Sequence, residues 1–116
     1  MIRKMLFIED EAALRELVAD AMQDMGFEVT TMANGAHGLA AMESETRYDL
    51  IVSDVMMPGG ISGIELAERA ASLQPQARVL LVSGLSKGQL PPLPERVAFL
   101  QKPYRLVQLV QAFPPE

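Results

Sequence analysis

The chain is organised around LIVSDVMMPGG, residues 50–60, in which its most compact apolar run ends at Asp54 and a Pro/Gly loop follows. A short apolar run without alternation is typical of a strand buried on both faces of a parallel sheet. Ser62 and, three residues later, Glu65 match the capping box that starts a helix, which we expect to run to about Leu73. Residues 50–73 therefore predict a central strand, a loop at its carboxyl end and a helix.

Four further apolar runs predict strands of the same sheet. They lie at residues 5–8, 27–32, 79–82 and 97–100. The run at 27–32 is the least apolar, so we expect it at an edge. Helical spacing of apolar residues predicts other helices over residues 14–25, 36–42 and 106–110, the last of which Pro114-Pro115 would stop. This alternation predicts an α/β, flavodoxin-like parallel sheet of order 2-1-3-4-5 with helices on both faces.

The bulk composition limits the class of protein. A chain of 116 residues suits one domain, which we assign to residues 1–116. The net charge of −5 disfavours direct binding to nucleic acid or to anionic lipid, and the absence of Cys excludes disulfides and thiolate chemistry. The first apolar run is too short for a signal peptide, and no run approaches the roughly 20 residues of a membrane span. We therefore expect a cytoplasmic protein without membrane contact.

Residues suited to metal or phosphate chemistry follow four of the five predicted strands. Glu9 and Asp10 follow the first strand, and Asp54, Ser83 and Lys102 end the third, fourth and fifth. Because the carboxyl ends of parallel strands share one edge, these side chains are expected in one cleft. Each pair of carboxylates about 4 Å apart would cost on the order of 4 kcal/mol at an effective dielectric near 20, which favours a bound proton or cation.

Oxygen ligands without His or Cys point to Mg²⁺ or Mn²⁺. Asp54 is the best candidate nucleophile toward a phosphoryl group, because it follows the most buried strand and precedes the loop. Lys102 and Ser83 would stabilise the phosphoryl oxygens, and Glu9 and Asp10 would hold the ion. The product would be an acyl phosphate on Asp54.

Each of these residues also has a simpler interpretation. Glu9 and Asp10 could be acids favoured at a helix N-terminus, and Asp54 could be a turn residue before the Pro/Gly loop. Ser83 could end an ordinary strand, and Lys102 could be a solvated surface charge. The coincidence of all of them favours the shared site.

In this order and spacing, the residues resemble the receiver domain of response regulators over essentially the whole chain. The matching segments are FIEDE at 7–11, SDVMMP at 53–58, VSG at 82–84 and KPY at 102–104. The resemblance implies roles for the residues in them. Asp54 would be the phosphoacceptor; Glu9, Asp10, Asp54 and the Met56 backbone carbonyl would bind Mg²⁺ or Mn²⁺; Ser83, Gly84 and Lys102 would contact the phosphoryl group; and Ser83 and Phe99 would form the switch. It also implies a cis bond between Lys102 and Pro103.

The resemblance implies a signalling role. A histidine kinase or a histidine phosphotransfer protein would donate the phosphoryl group, and a downstream protein target would respond. The chain would then be no enzyme beyond its own phosphorylation and dephosphorylation. Met56 and Leu85 stand where receivers tune hydrolysis, and apolar residues there predict a long-lived phosphoryl group. Two alternatives remain: a small Mg²⁺-dependent phosphohydrolase, and a pseudo-receiver that only binds partners.

The chain departs from receivers between Ser83 and Lys102. Pro91, Pro92 and Pro94 exclude a regular fourth helix, so at most one turn is expected over residues 87–90. By resemblance, this altered face is where receivers signal or dimerise, so we expect a monomer or an atypical dimer. The loop at residues 58–63 is one residue longer than usual, a spacing associated with receivers of hybrid sensor kinases. By this resemblance, we expect the chain to be a free single-domain receiver or one excised from such a kinase.

Overall fold

The computed structural model describes residues 2–112. The predicted stop of the last helix at Pro114-Pro115 lies outside the described residues, as do the ends of the assigned domain. None of the helices within residues 2–112 is both long and apolar enough to cross a membrane.

In the described part of the chain, five parallel strands form one sheet. They are β1 (Lys4–Ile8), β2 (Glu28–Met32), β3 (Leu50–Asp54), β4 (Arg78–Ser83) and β5 (Val97–Gln101). Their order is β2-β1-β3-β4-β5, so the predicted topology is confirmed, with the least apolar strand at an edge. All five residues of β3 are buried, as expected of a strand covered on both faces.

Within residues 2–112, four α-helices connect or follow these strands. They are α1 (Ala12–Asp24), α2 (Gly35–Glu43), α3 (Gly63–Leu73) and α4 (Leu106–Gln111). The Ser62 hydroxyl accepts the Glu65 N–H at 3.2 Å, which confirms the predicted start of α3. Between β4 and β5 the structure has only a single 3₁₀ turn, Lys87–Gln89. The prediction that the usual helix is missing there is therefore confirmed.

The core lies on both faces of the sheet, because successive strand residues point to opposite sides. On one face, Phe7 packs in a cluster with Met22 of α1 and Leu109 of α4. On the other, Ile8 packs in a cluster with Leu66 of α3 and with α2. Both sides of β1 and β3 are thereby fixed, which holds their carboxyl ends in place.

The buried side-chain amide of Gln74, which the sequence analysis did not single out, stabilises the opposite end of the sheet. Gln74, only 2% exposed, donates to the carbonyls of Met42 and Thr46 at 3.0 and 2.9 Å and accepts the Tyr48 N–H at 2.9 Å. These bonds satisfy backbone groups of the segment between α2 and β3 that would otherwise be buried without partners. Gln74 therefore ties this segment to the end of α3.

Candidate functional site

The strand register brings the predicted site residues to one edge of the sheet. Ile8 pairs with Ser53, so Glu9 and Asp10 follow β1 beside Asp54 at the end of β3. Ser83 at the end of β4 pairs with Gln101, and the Lys102 N–H donates to the Ser83 carbonyl at 2.7 Å. The parallel register therefore sets the positions of all these groups, as the topology rule predicts.

Three carboxylates form the centre of the site. Glu9, Asp10 and Asp54 each place a carboxylate oxygen within 4.8 Å of the others. Glu9 is 1% exposed and Asp54 4% exposed, whereas Asp10 is exposed. The cluster is therefore buried at Glu9 and Asp54 and accessible to solvent at Asp10.

Lys102 bridges the two buried acids. Its Nζ lies 2.7 Å from Asp54 Oδ1 and 2.9 Å from Glu9 Oε1. Burial lowers the pKa of Lys102, but its hydrogen bonds to Asp54 and Glu9 outweigh that effect and hold the pKa above its usual 10.5. The lysine is therefore a fixed positive charge inside the acidic cluster, not a solvated surface charge.

Burial changes the ionisation of Asp54. Desolvation, followed by the hydrogen bond to Glu9, raises the pKa of Asp54 from 3.8 to about 8, although Lys102 opposes the rise. Without a further cation, this raised pKa favours the protonated form of the Asp54 carboxyl near neutral pH. A protonated carboxyl is a poor nucleophile, so a cation in the cluster would also activate Asp54.

Every polar group of Glu9 is engaged. Its Oε2 accepts the Glu11 N–H at 3.0 Å, its carbonyl accepts from Arg15 Nη1 at 2.8 Å, and its N–H donates to the Met32 carbonyl at 3.0 Å. The Glu9 carboxylate thus satisfies the N–H of Glu11, the residue that precedes α1. The sequence analysis missed Arg15, since an Arg on a helix surface carries no signal of a contact with the preceding strand.

The close approach of Gly63 also holds the backbone of Asp54 in place, and the sequence analysis did not single out this glycine. The Gly63 N–H donates to the Val55 carbonyl at 2.8 Å. A Cβ at residue 63 would overlap the Asp54 carbonyl oxygen, so only glycine lets α3 start this close to the strand end. A glycine directly after an N-cap serine is the one local signal that could have indicated this contact.

A cavity of about 210 Å³ opens over the acids. It is lined by Asp10, Asp54, Met56, Ser83, Gly84, Leu85 and Lys102. Met56 is 66% exposed and Leu85 37% exposed, so the rim is apolar while the floor is charged. The Ser83 hydroxyl accepts the Leu85 N–H at 3.1 Å and can still donate to a group in the cavity.

The predicted switch residue Phe99 lies on β5, away from the cavity lining. It is half-buried and packs against the cluster of Val55, Ala67 and Leu81. Val55 follows Asp54 directly, so this cluster adjoins the acidic site. The Lys102–Pro103 bond is cis, as the resemblance implied.

The donor set fits a hard divalent cation. Three carboxylates within 4.8 Å offer only oxygen, which Mg²⁺ and Mn²⁺ prefer. The Lys102 ammonium offsets only part of the rise that burial and the neighbouring Glu9 cause in the pKa of Asp54, so a further cation would stabilise the ionised cluster. Asp10 and Asp54, which line the cavity, are the side chains best placed to hold the ion.

The fold and this cleft define an α/β protein with a lysine-bridged acidic site at the carboxyl edge of a parallel sheet. A match to the response regulator receiver domain family covers residues 5–113, and the chain belongs to this family. It is therefore a receiver domain of two-component systems, and the family resemblance is confirmed.

Relatives occur both as short proteins and inside long ones. The chain is 30% identical to the response regulator receiver protein CpdR of Brucella abortus over 94% of its length and 92% of that protein. It is 33% identical to the sensor kinase CckA of the same organism, but covers 11% of it. It also covers 42% of the transcriptional regulatory protein TcrA of Mycobacterium tuberculosis.

Solved receiver structures have the same fold. The receiver domain of the hybrid histidine kinase CckA superposes with a TM-score of 0.75 at 36% identity, with 91% of each chain covered. The response regulator TrrA of Thermotoga maritima, solved in complex with Mg²⁺-BeF, superposes with a TM-score of 0.81 at 28% identity, with 93% of each chain covered. The chain thus resembles receivers from free and hybrid proteins alike.

Proposed function

We propose that this receiver accepts a phosphoryl group on Asp54, in a phosphorelay fed by a histidine kinase or a histidine phosphotransfer protein. The observation that carries the proposal is the contact of Lys102 with a buried Asp54 at the floor of an open cavity. A buried carboxylate beside a fixed ammonium and a free hydroxyl donor is suited to phosphoryl transfer, because both groups can stabilise charge on the transferred oxygens.

The transfer is a displacement at phosphorus. An Asp54 carboxylate oxygen forms the new O–P bond while the P–N bond to the donor histidine breaks, and the released imidazole keeps the electron pair and takes up a proton. Asp54 must be ionised to attack, which its pKa of about 8 opposes at neutral pH. Bound Mg²⁺ would supply the positive charge that keeps Asp54 ionised and offsets charge on the phosphoryl oxygens.

The new charge of about −1.5 to −2 on Asp54 changes what Lys102 and Ser83 contact. Lys102 exchanges a carboxylate partner for phosphoryl oxygens, and the Ser83 hydroxyl turns its proton toward them. Because the Ser83 oxygen also accepts the Leu85 N–H, movement of this side chain toward the phosphoryl group acts on the segment that leads into the 3₁₀ turn. The output is then a changed affinity for a protein target, with Phe99 adjusting in the adjoining cluster.

The remaining assignments belong to the same proposal. The net charge of −5 and the carboxylate-rich site fit a protein that meets other proteins and cations in the cytoplasm, without nucleic acid or membrane. The chain itself turns over no external substrate. Mg²⁺, with Mn²⁺ as a substitute, is the proposed cofactor.

Intact-mass measurement after treatment with acetyl phosphate and Mg²⁺ tests this function. The wild type is expected to gain one phosphoryl group, while Asp54→Ala and the isosteric Asp54→Asn gain none. Asp49→Asn, which removes an acid at the other end of β3, should still gain it. If the wild type gains no phosphoryl group, the chain is instead a pseudo-receiver that only binds partners. Turnover of a phosphate ester would indicate a phosphohydrolase.

A further inference from the structure

The segment that replaces the missing helix has a restricted backbone. After the 3₁₀ turn it reads LPPLPER, residues 90–96, and residues 90–94 have neither helix nor strand structure. Proline fixes its own φ near −65°, and a residue before proline is confined to extended conformations. Every residue from 90 to 94 is a proline or precedes one, and Leu90 has φ −102° and ψ 158°. The segment is therefore pre-ordered toward a polyproline II conformation.

The two leucines anchor this segment to the domain. Leu90 and Leu93 both pack against the cluster of Val55, Ala67 and Leu81. Polyproline II has three residues per turn, so residues three apart lie on the same side. The leucines thus face the protein, while Pro91 and Pro92 are exposed.

Charged residues flank the exposed prolines. Lys87 precedes them, and Glu95 and Arg96 follow; all three are exposed. Arg96 has φ 68°, so the extended segment ends there in a turn before β5. Two cations and one anion make this a locally basic stretch on a chain of net charge −5.

We propose that residues 90–96 are a recognition segment that binds an aromatic-lined, acidic groove on a partner protein. Pro-x-x-Pro segments bind such grooves because the polyproline II conformation is already formed and little entropy is lost on binding. Here Pro91, which is exposed, and Pro94, which is half-buried, have that spacing. Anchoring by Leu90 and Leu93 lowers the entropic cost further. Arg96 pairs with an acidic residue of the groove. This binding does not require phosphorylation of Asp54, so it stands apart from the proposed function.

Titration of the ¹⁵N-labelled full chain with an isolated SH3 domain, and separately with an isolated WW domain, tests the proposal by NMR. At least one of these two domains is expected to shift amide signals of the chain, and only those of residues 87–97. The double variant Pro91→Ala/Pro92→Ala should weaken that binding at least tenfold, and Arg96→Gln should weaken it about threefold. Pro75→Ala, at an exposed proline between α3 and β4, is the matched control and should bind like the wild type.

Three results would overturn the proposal: no shifts with either probe, shifts outside this segment, or undiminished binding by the double variant. Thermal unfolding and the retained amide signals of each variant show that the domain is folded. Because the titration needs no phosphoryl group, its outcome is independent of the mass measurement on Asp54.

Discussion

Lys102 Nζ lies 2.7 Å from Asp54 Oδ1, and the same ammonium lies 2.9 Å from Glu9 Oε1. The candidate phosphoacceptor therefore shares its counter-charge with a second, fully buried acid. One cation for two carboxylates leaves the site dependent on protons or metal ions, and this shortage of positive charge underlies the first three predictions.

Lys102→Met should destabilise the metal-free protein by about 3 kcal/mol, because it leaves Glu9 and Asp54 buried without their counter-charge. Protonation of Asp54 relieves part of this cost, so the loss should grow as the pH rises. Urea denaturation measures it. Lys87→Met, at an exposed lysine, should change stability by less than about 0.5 kcal/mol, and an equal effect of both variants would refute the bridging role.

Asp10→Asn should weaken Mg²⁺ binding at least about tenfold, and more than Glu9→Gln does. Asp10 is exposed and lines the cavity, whereas both carboxylate oxygens of Glu9 are already bonded to Lys102 and Glu11. Isothermal titration calorimetry gives the two affinities. Asp20→Asn, on the exposed side of α1, is the control, and a larger loss in Glu9→Gln would contradict the assignment.

The stability of the metal-free protein should fall as the pH rises from about 4 to about 8. Folding raises the pKa of Asp54 from 3.8 to about 8, so in this window the folded state binds a proton that the unfolded state does not. The stability that this proton contributes is lost as the pH rises through the folded pKa.

Denaturation of the wild type and of Asp54→Asn at pH 5 and pH 8.5, in the presence of a chelator, isolates this contribution. The wild type should lose stability relative to the variant at the higher pH. A difference that does not change with pH would show that Asp54 ionises normally. Added Mg²⁺ should reduce the loss, because the ion replaces the proton.

Gly63→Ala should cost about 3 kcal/mol, since its Cβ would overlap the Asp54 carbonyl oxygen and backbone must move to make room. The displaced strand end should also slow phosphorylation by acetyl phosphate. Gly88→Ala is the matched control, because nothing lies within 4 Å of the added Cβ. If both variants are as stable as the wild type, α3 does not start as close to the Asp54 carbonyl as the structure indicates.

Met56→Asn should accelerate loss of the phosphoryl group by roughly tenfold, equivalent to about 1.4 kcal/mol in the barrier. Met56 is 66% exposed at the rim of the cavity, where an amide can orient a water molecule and a thioether cannot. The decay of the phosphorylated mass over time measures the rate. Met25→Asn, at an exposed methionine outside the cavity lining, should decay like the wild type, and unchanged decay in Met56→Asn would contradict the prediction.

Local sequence was sufficient for most of the architecture. The apolar runs predicted the strands, Ser62 marked the start of α3, and the three prolines after residue 90 predicted the missing helix. These features depend on neighbouring residues, so they can be read from the chain. The convergence of the acids with Lys102 also followed, because parallel strands bring their carboxyl ends to one edge.

Only the tertiary structure decided how those groups interact. The bridge from Lys102 to Glu9 and the hydrogen bonds of Gln74 join segments that are distant in sequence, and the raised pKa of Asp54 depends on burial. The contact of Arg15 with the Glu9 carbonyl spans only six residues, but it depends on how α1 packs beside the end of β1. The type of a residue limits which hydrogen bonds and ion pairs it can form. Its burial and its distance from other groups in the folded protein determine which of them do form. The sequence by itself thus determined the sheet and the set of reactive groups at its edge, and packing determined their charge states and partners.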